Sequence, residues 1–242
     1  PLANSLIHTI GWRSSFVFVG LLLLVVIAVA AQFLRREPTH IDVQPPAHAR
    51  SNDAPSTPPT SWGLSFSEAA RTRQLWLLVV AFTGFGFVLQ SVMVHVVIHA
   101  IGIGVPSASA AGIMTAIGGM GVVGRVGVGS LADKLGSKRL LAAQYALMSF
   151  GLFWLATAND TWSISAFGFI FGFAYGGVVP LYSHIVAELF GLRSHGAILG
   201  TITFSVGIGS AIGPVLTGYC YDVLGSYTIP FILCGVMAAV AA

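Results

Sequence analysis

Six apolar runs, each about as long as a bilayer crossing, succeed one another at 14–34, 75–100, 108–131, 140–158, 163–187 and 197–220, and a seventh begins near 228. A hydrocarbon core of about 30 Å takes about 20 residues of helix to cross. No water is present there to satisfy backbone N–H and C=O groups, so a spanning segment must close its hydrogen bonds within itself. The expected fold is therefore all-α, a polytopic transmembrane helix bundle. Composition agrees: 55% of the residues are hydrophobic and only 8% carry Asp, Glu, Lys or Arg, against roughly 25% in soluble domains. Too few charges remain to clothe a water-facing surface, and most of the outside is expected to face lipid.

Between the first two runs lies REPTHIDVQPPAHARSNDAPSTPPTS, which holds six of the eleven prolines and almost no large apolar side chain. Such a stretch cannot bury a core and reads as a disordered linker. It is followed by Ser65-Phe66-Ser67-Glu68, an S-x-x-E capping box marking the start of a helix. The last apolar run is short, and the opening PLANSLIH resembles the tail of another apolar element, so a fragment of a longer protein is expected.

The basic residues fall by position rather than in a patch. Arg35, Arg36, Arg50, Arg71 and Arg73 lie in or beside the linker, Lys134, Lys138 and Arg139 follow the third run, and Arg193 follows the fifth. The intervening turns near 101–107, 159–162 and 221–227 contain Asp160 and Asp222 but no Lys or Arg. Cytoplasmic loops hold the excess of Lys and Arg. The linker and the loops at 130–139 and 188–195 are thus expected in the cytoplasm, with Arg13 as the exception, in a bacterial inner membrane or a plasma membrane. Nucleic acid is excluded as a partner, since that would need basic residues gathered on one face with base readers nearby. Cys220 and Cys234 lie in apolar segments without ligand spacing, so no metal site, disulfide or cofactor is expected.

Small residues recur at four-residue spacing: Ala108, Gly112 and Ala116; Gly168, Gly172 and Gly176; Thr201, Ser205, Gly209, Gly213 and Thr217. Each set lines one helix face and lets backbones come close. Such faces serve either tight packing alone or helices that also slide during a conformational cycle. Gly119, Gly121 and Gly124 spell G-x-G-x-x-G, yet a dinucleotide loop requires a strand before the glycines, and SASAAGIMTAIG continues an apolar helix instead.

The segment Gly129-Ser130-Leu131-Ala132-Asp133-Lys134-Leu135-Gly136-Ser137-Lys138-Arg139 carries more information. It resembles G-x-x-x-D-(R/K)-x-G-x-(R/K)-(R/K), the cytoplasmic signature loop of the major facilitator superfamily, in the copy between helices 8 and 9. Glu188, Arg193 and Gly196 resemble that family's E-x(4)-R-x-x-G loop after helix 10, and Gly213-Pro214 with Gly218, Asp222 and Gly225 resembles the end of helix 11. The register this implies is 1–34 for the end of helix 5 and helix 6, 35–74 for the central linker, and 75–242 for helices 7 to 12. A weak echo between Pro1-Leu2 with Gly11 and Pro214-Val215 with Gly225 suits two parallel halves.

The resemblance implies a secondary transporter working by alternating access, and it is nearest the monocarboxylate and oxalate-formate porter branch. Its partners would be a small-molecule substrate, a small organic anion, with protons as a candidate coupled ion. Gly129, Asp133, Lys134, Gly136, Arg139, Glu188 and Arg193 become gating candidates. Asp133 would accept from a neighbouring helix N-terminus or pair with Arg193, and Arg125 or Arg139 would pair with Glu188.

For the substrate site the candidates are Arg125, His95, Gln90, Tyr175 and Tyr182. Arg125 is the strong charge deep within a span, where burial costs several kcal/mol unless a wet cavity or partner receives it. It is either an anchor for a carboxylate or a snorkelling or gate residue. In the monocarboxylate branch the corresponding arginine has an aspartate four residues earlier, and here that position is Gly121. The lysine that the oxalate-formate subgroup places in helix 11 is missing from 197–220, which disfavours a dicarboxylate. His95, one turn before His99, is a proton relay, an outer-gate donor or a plain interfacial residue. Tyr175 and Tyr182 share a face and either line the cavity or pack as aromatics. No catalytic group is expected, since no H-E-x-x-H or paired intramembrane carboxylate occurs. Carriers of neutral solutes or drugs and a non-transporting receptor of the same fold are the alternatives.

Overall fold

The structure is a computed structural model that describes residues 6, 7, 9, 11–33 and 62–242. The chain divides into two compact units, residues 1–59 and 60–242. Helix α1 (Trp12–Phe33) belongs to the first and is apolar after Arg13, whose guanidinium carbon lies 4.9 Å from the Trp12 ring centroid. Residues 1–5, 8, 10 and 34–61, which hold the start of the internal echo and most of the expected linker 35–74, lie outside the described residues.

In the second unit the capping box forms as expected and opens α2 (Phe66–Ala70). The Ser65 amide donates to Glu68 Oε2 at 2.7 Å and the Glu68 amide to Ser65 Oγ at 3.3 Å. Six helices follow: α3 (Arg73–Gly102), α4 (Ser107–Leu135), α5 (Ser137–Thr157), α6 (Thr161–Phe190), α7 (His195–Leu224) and the shorter α8 (Thr228–Ala241). Among the described residues six helices, α1 and α3 to α7, are long and apolar enough to cross a membrane. Most of these extend two to four residues past the apolar runs, because capping residues such as Thr72 and Asp160 start them in the polar margin.

The expected loop at 130–139 is mostly helix. Residues Ser130 to Leu135 complete α4, and Gly136 alone breaks the path before Ser137 starts α5. Its φ of 81° lies in the region open to glycine at no steric cost. Lys134 in the last turn of α4 faces the negative end of the helix dipole.

Two close helix pairs organise the bundle: α4 lies along α6 and α3 along α7, while α5 packs on both α6 and α8. Glycines set both approaches. A Cβ on Gly172 would meet the Ile117 carbonyl oxygen at 2.6 Å, and one on Gly176 would collide with Gly121. On α7, Gly209 and Gly213 abut the carbonyls of Thr83 and Phe87 in the same way. The Ala108 set differs: Gly112 faces open space and only Ala116 reaches α6, at Gly168. Rotation of α4 instead buries Ile113, Ile117, Gly121, Gly124 and Val128. The G-x-G-x-x-G is thus the interior of one continuous helix, with Gly121 and Gly124 against α6 and Gly119 facing outward.

Candidate functional site

Arg125 lies ten residues before the end of α4, about 15 Å by helix rise, on a face that α6 leaves exposed. Its Nη2 donates to the Tyr175 hydroxyl at 3.3 Å, and its guanidinium carbon stands 5.8 Å from that ring's centroid. Among the described residues Arg125 has no carboxylate partner. Gly121 explains the arrangement. A Cβ there would come within 2.9 Å of Tyr175 Cε1, so the tyrosine ring occupies the room that a side chain at 121 would need. The Tyr175 phenol stands where the resemblance would put an aspartate, and its hydroxyl is the hydrogen-bond partner of the arginine.

Tyr182 does not join this pair. Its ring packs edge-on against Phe82 at 4.5 Å and Phe85 at 6.0 Å, both on α3. It belongs to the aromatic core, the second of the two readings open from sequence. Gln90 is half-buried on α3 and makes no hydrogen bond with another described residue.

His95, on α3, joins three helices near the end opposite the basic turns. Its Nε2 lies 3.0 Å from the Pro214 carbonyl oxygen of α7, and its Nδ1 3.1 Å from the hydroxyl of Tyr227, which caps α8. A carbonyl only accepts, so Nε2 carries the hydrogen and Nδ1 accepts from the phenol in the neutral ring. Proline has no N–H. Pro214 therefore leaves the Ser210 carbonyl without its helical donor, and His95 grips α7 one turn beyond that break.

At the basic end the pairs formed are not the expected ones. Asp133 faces His184 Nε2 at 3.9 Å rather than Arg193, and Arg193 reaches Glu68 at 3.9 Å. Glu188 does not meet Arg125 or Arg139: its Oε2 accepts from the Ser137 amide at 3.3 Å, at the N-terminus of α5. The role expected of Asp133, accepting at a helix N-terminus, is filled by Glu188. Lys134 and Arg139 are exposed, and Gly129 touches the Pro180 ring, where a Cβ would stand 3.5 Å away. His184 Nδ1 lies 2.9 Å from the Pro180 carbonyl oxygen and so carries the hydrogen. Nε2 consequently presents a lone pair to Asp133 until the ring is protonated.

The segment before α2 is stitched to the turn after α6. Leu64 donates to the Phe190 carbonyl at 2.8 Å and Leu192 to the Trp62 carbonyl at 2.9 Å, around facing Gly63 and Gly191. Both glycines have positive φ, 127° and 77°, and a Cβ on either would strike the other's backbone. Hydrogen bonds from the Ser65 side chain and backbone, then the Arg193 charge, hold the Glu68 carboxyl below the usual carboxylate range. Sequence reasoning did not pair His184 with Asp133, Tyr227 with His95 or Glu68 with Arg193. A proline four residues before His184 was the available signal for the first.

Long apolar helices in glycine-set pairs define a multi-pass membrane protein. The chain belongs to the Major Facilitator Superfamily, whose family model matches residues 1–165 and again 128–242. Human (Homo sapiens) monocarboxylate transporter 11 is 28% identical over 245 residues, covering 97% of this chain and 49% of that protein. Rat (Rattus norvegicus) monocarboxylate transporter 13 is 32% identical over 146 residues, 59% of this chain and 34% of that protein. The chain thus spans about half, or less, of the length of these relatives. In structure it is similar to the E. coli fucose:proton symporter, with a TM-score of 0.61 at 18% identity over 73% of this chain and 44% of that one, a likeness of fold.

Proposed function

We propose that the chain is the C-terminal part of a secondary transporter that moves a small organic anion of monocarboxylate class by alternating access, coupled to protons. Residues 1–34 supply the end of helix 5 and helix 6, residues 35–74 the central linker, and residues 75–242 the second six-helix half. The observation that carries this reading is Arg125, a cation on an apolar helix whose partner is a phenol instead of a carboxylate. Holding such a charge at membrane depth costs about 2.5–3.5 kcal/mol on insertion scales. A bound carboxylate lowers that cost, so the site favours an anion. The Tyr175 hydroxyl, turned from the guanidinium, supplies a second donor to the same carboxylate. The names of the relatives support the substrate class, and the fold shared with a proton symporter supports the coupling.

In this reading the basic end is cytoplasmic. Arg193 with Glu68 and the Gly63–Gly191 bridge bind the linker's end to the turn after α6, while Asp133 with His184 joins α4 to α6. These contacts close the inner side and yield when it opens. Uptake into proteoliposomes containing the intact protein is the test, with labelled monocarboxylates, dicarboxylates, sugars and amino acids offered in parallel. Accumulation of monocarboxylates under an inward proton gradient is expected. Movement of neutral solutes with carboxylates ignored would remove the role given to Arg125.

A further inference from the structure

At the end opposite the basic turns, a cavity of about 280 Å³ is lined by residues that include His99, Asn159, Tyr221, Ser226 and Tyr227. The C-terminal ends of α3, α5 and α7 meet there, since Gly102, Ala158 and Gly225 also line it. Helix C-termini carry partial negative charge and favour a cation within the last turn. None of the three turns around the cavity contains Lys or Arg, and two contain Asp160 and Asp222. The field in this cavity therefore favours positive charge.

His99 is the imidazole that lines the cavity. It is 9% exposed, its Nε2 has no hydrogen-bond partner, and its ring stands edge-on to Tyr227 at 5.8 Å and to Phe231 at 5.3 Å. Tyr227 in turn holds His95 Nδ1 at 3.1 Å, and His95 Nε2 holds the Pro214 carbonyl. The cavity, two histidines, one phenol and the α7 proline break thus form one connected series.

We propose that this cavity is the proton-entry port of the transporter, with His99 taking up a proton and passing it through the Tyr227 hydroxyl to His95. The proposal rests on the proton-coupled reading above, and supplies a route that does not need a carboxylate at position 121. In the first step a hydronium ion in the cavity gives a proton to His99 Nδ1, the ring nitrogen not sealed from it, and is left as water. The His99 proton then passes to a bridging water, which gives one of its own to the Tyr227 oxygen as the phenol O–H proton transfers to His95 Nδ1. The phenol is neutral before and after, His99 returns to its neutral form, and no electron changes hands. Charged His95 then donates more strongly to the Pro214 carbonyl, which tightens α3 onto α7 beside the break.

The titratable groups around this series are few. Tyr227 faces both histidines from α8, Tyr221 stacks on Tyr227 at 4.2 Å, Asp222 lies beside it at the end of α7, and Asp160 caps α6. The Cys234 thiol lies near Ser91, one turn inward from His95. Burial, then Tyr221 and Asp222, push the Tyr227 phenol up, so it keeps the proton a relay requires.

Two measurements on the intact protein test the port. In nanodiscs, ¹⁵N-histidine NMR should show His95 and His99 titrating as a linked pair. Tyr227→Phe should uncouple them and His99→Gln should move the His95 midpoint. In cells with clamped internal pH, acid outside should stimulate labelled lactate uptake, and His99→Gln and Tyr227→Phe should lose that stimulation. Tyr227→Phe keeps the ring, so a misfolded His99 variant does not decide the matter. Unlinked titration, with acid stimulation intact in both variants, overturns the port and leaves proton coupling standing. Wild-type uptake indifferent to the gradient overturns the coupling itself, and the port with it.

Discussion

At the basic end exposed charges pair, Arg193 with Glu68 and His184 with Asp133, whereas at the opposite end His95 joins three helices through two hydrogen bonds of a buried ring. Exposed pairs contribute about 0–1 kcal/mol each and weaken in salt. Breaking a buried bond by removing one partner costs about 1–3 kcal/mol, because the other partner is left unsatisfied. The charged pairs of the basic end can therefore part at little cost. The opposite end is held instead by a ring whose removal leaves two partners unsatisfied.

The largest effect is expected from His95→Ala. It leaves the Pro214 carbonyl and the Tyr227 hydroxyl unpaired, for a loss of about 2–4 kcal/mol, read as a drop in Tm of the purified protein that salt does not alter. A loss no greater than that of a basic-end variant would erase the contrast.

Next in size is Gly191→Ala, whose Cβ must enter a left-handed conformation and meet the Gly63 backbone. About 1–3 kcal/mol of local strain is expected. Limited trypsinolysis should show faster cleavage at Arg71 and Arg73 as the strand bridge releases the segment before α2.

The smallest is Arg193→Ala, expected to lower Tm only slightly and to lose even that effect in high salt. The pH dependence of the same contact has a definite sign. The Glu68 carboxyl is held below its ordinary value, so its contribution is present above the carboxylate range and is lost as pH falls through the lowered value. Thermal unfolding of wild type and Glu68→Gln should therefore converge in acid and separate toward neutrality.

The spans were readable in the sequence because about 20 apolar residues in lipid admit one solution, and the S-x-x-E cap was readable because its partners are three residues apart. Pairing between helices was not. Asp133 was expected to meet Arg193, yet which side chains face one another depends on helix rotation, fixed here by contacts such as Gly176 on Gly121. Arg125 was legible as a lone deep charge. Its partner was not, since Tyr175 lies on another helix and reaches it only because position 121 has no side chain. The helical course of Ser130 to Leu135 was missed because the charged residues there read as loop, though a helix end outside the apolar core tolerates them well.

The claim that Arg125 with Tyr175 binds the transported anion is tested most directly by monocarboxylate uptake in proteoliposomes of wild type, Arg125→Lys and Arg125→Gln. The expected result is loss of uptake in Arg125→Gln, with partial activity at raised KM in Arg125→Lys, which keeps the charge but not the planar fork. Uptake in Arg125→Gln equal to wild type, at equal protein incorporation, would contradict it.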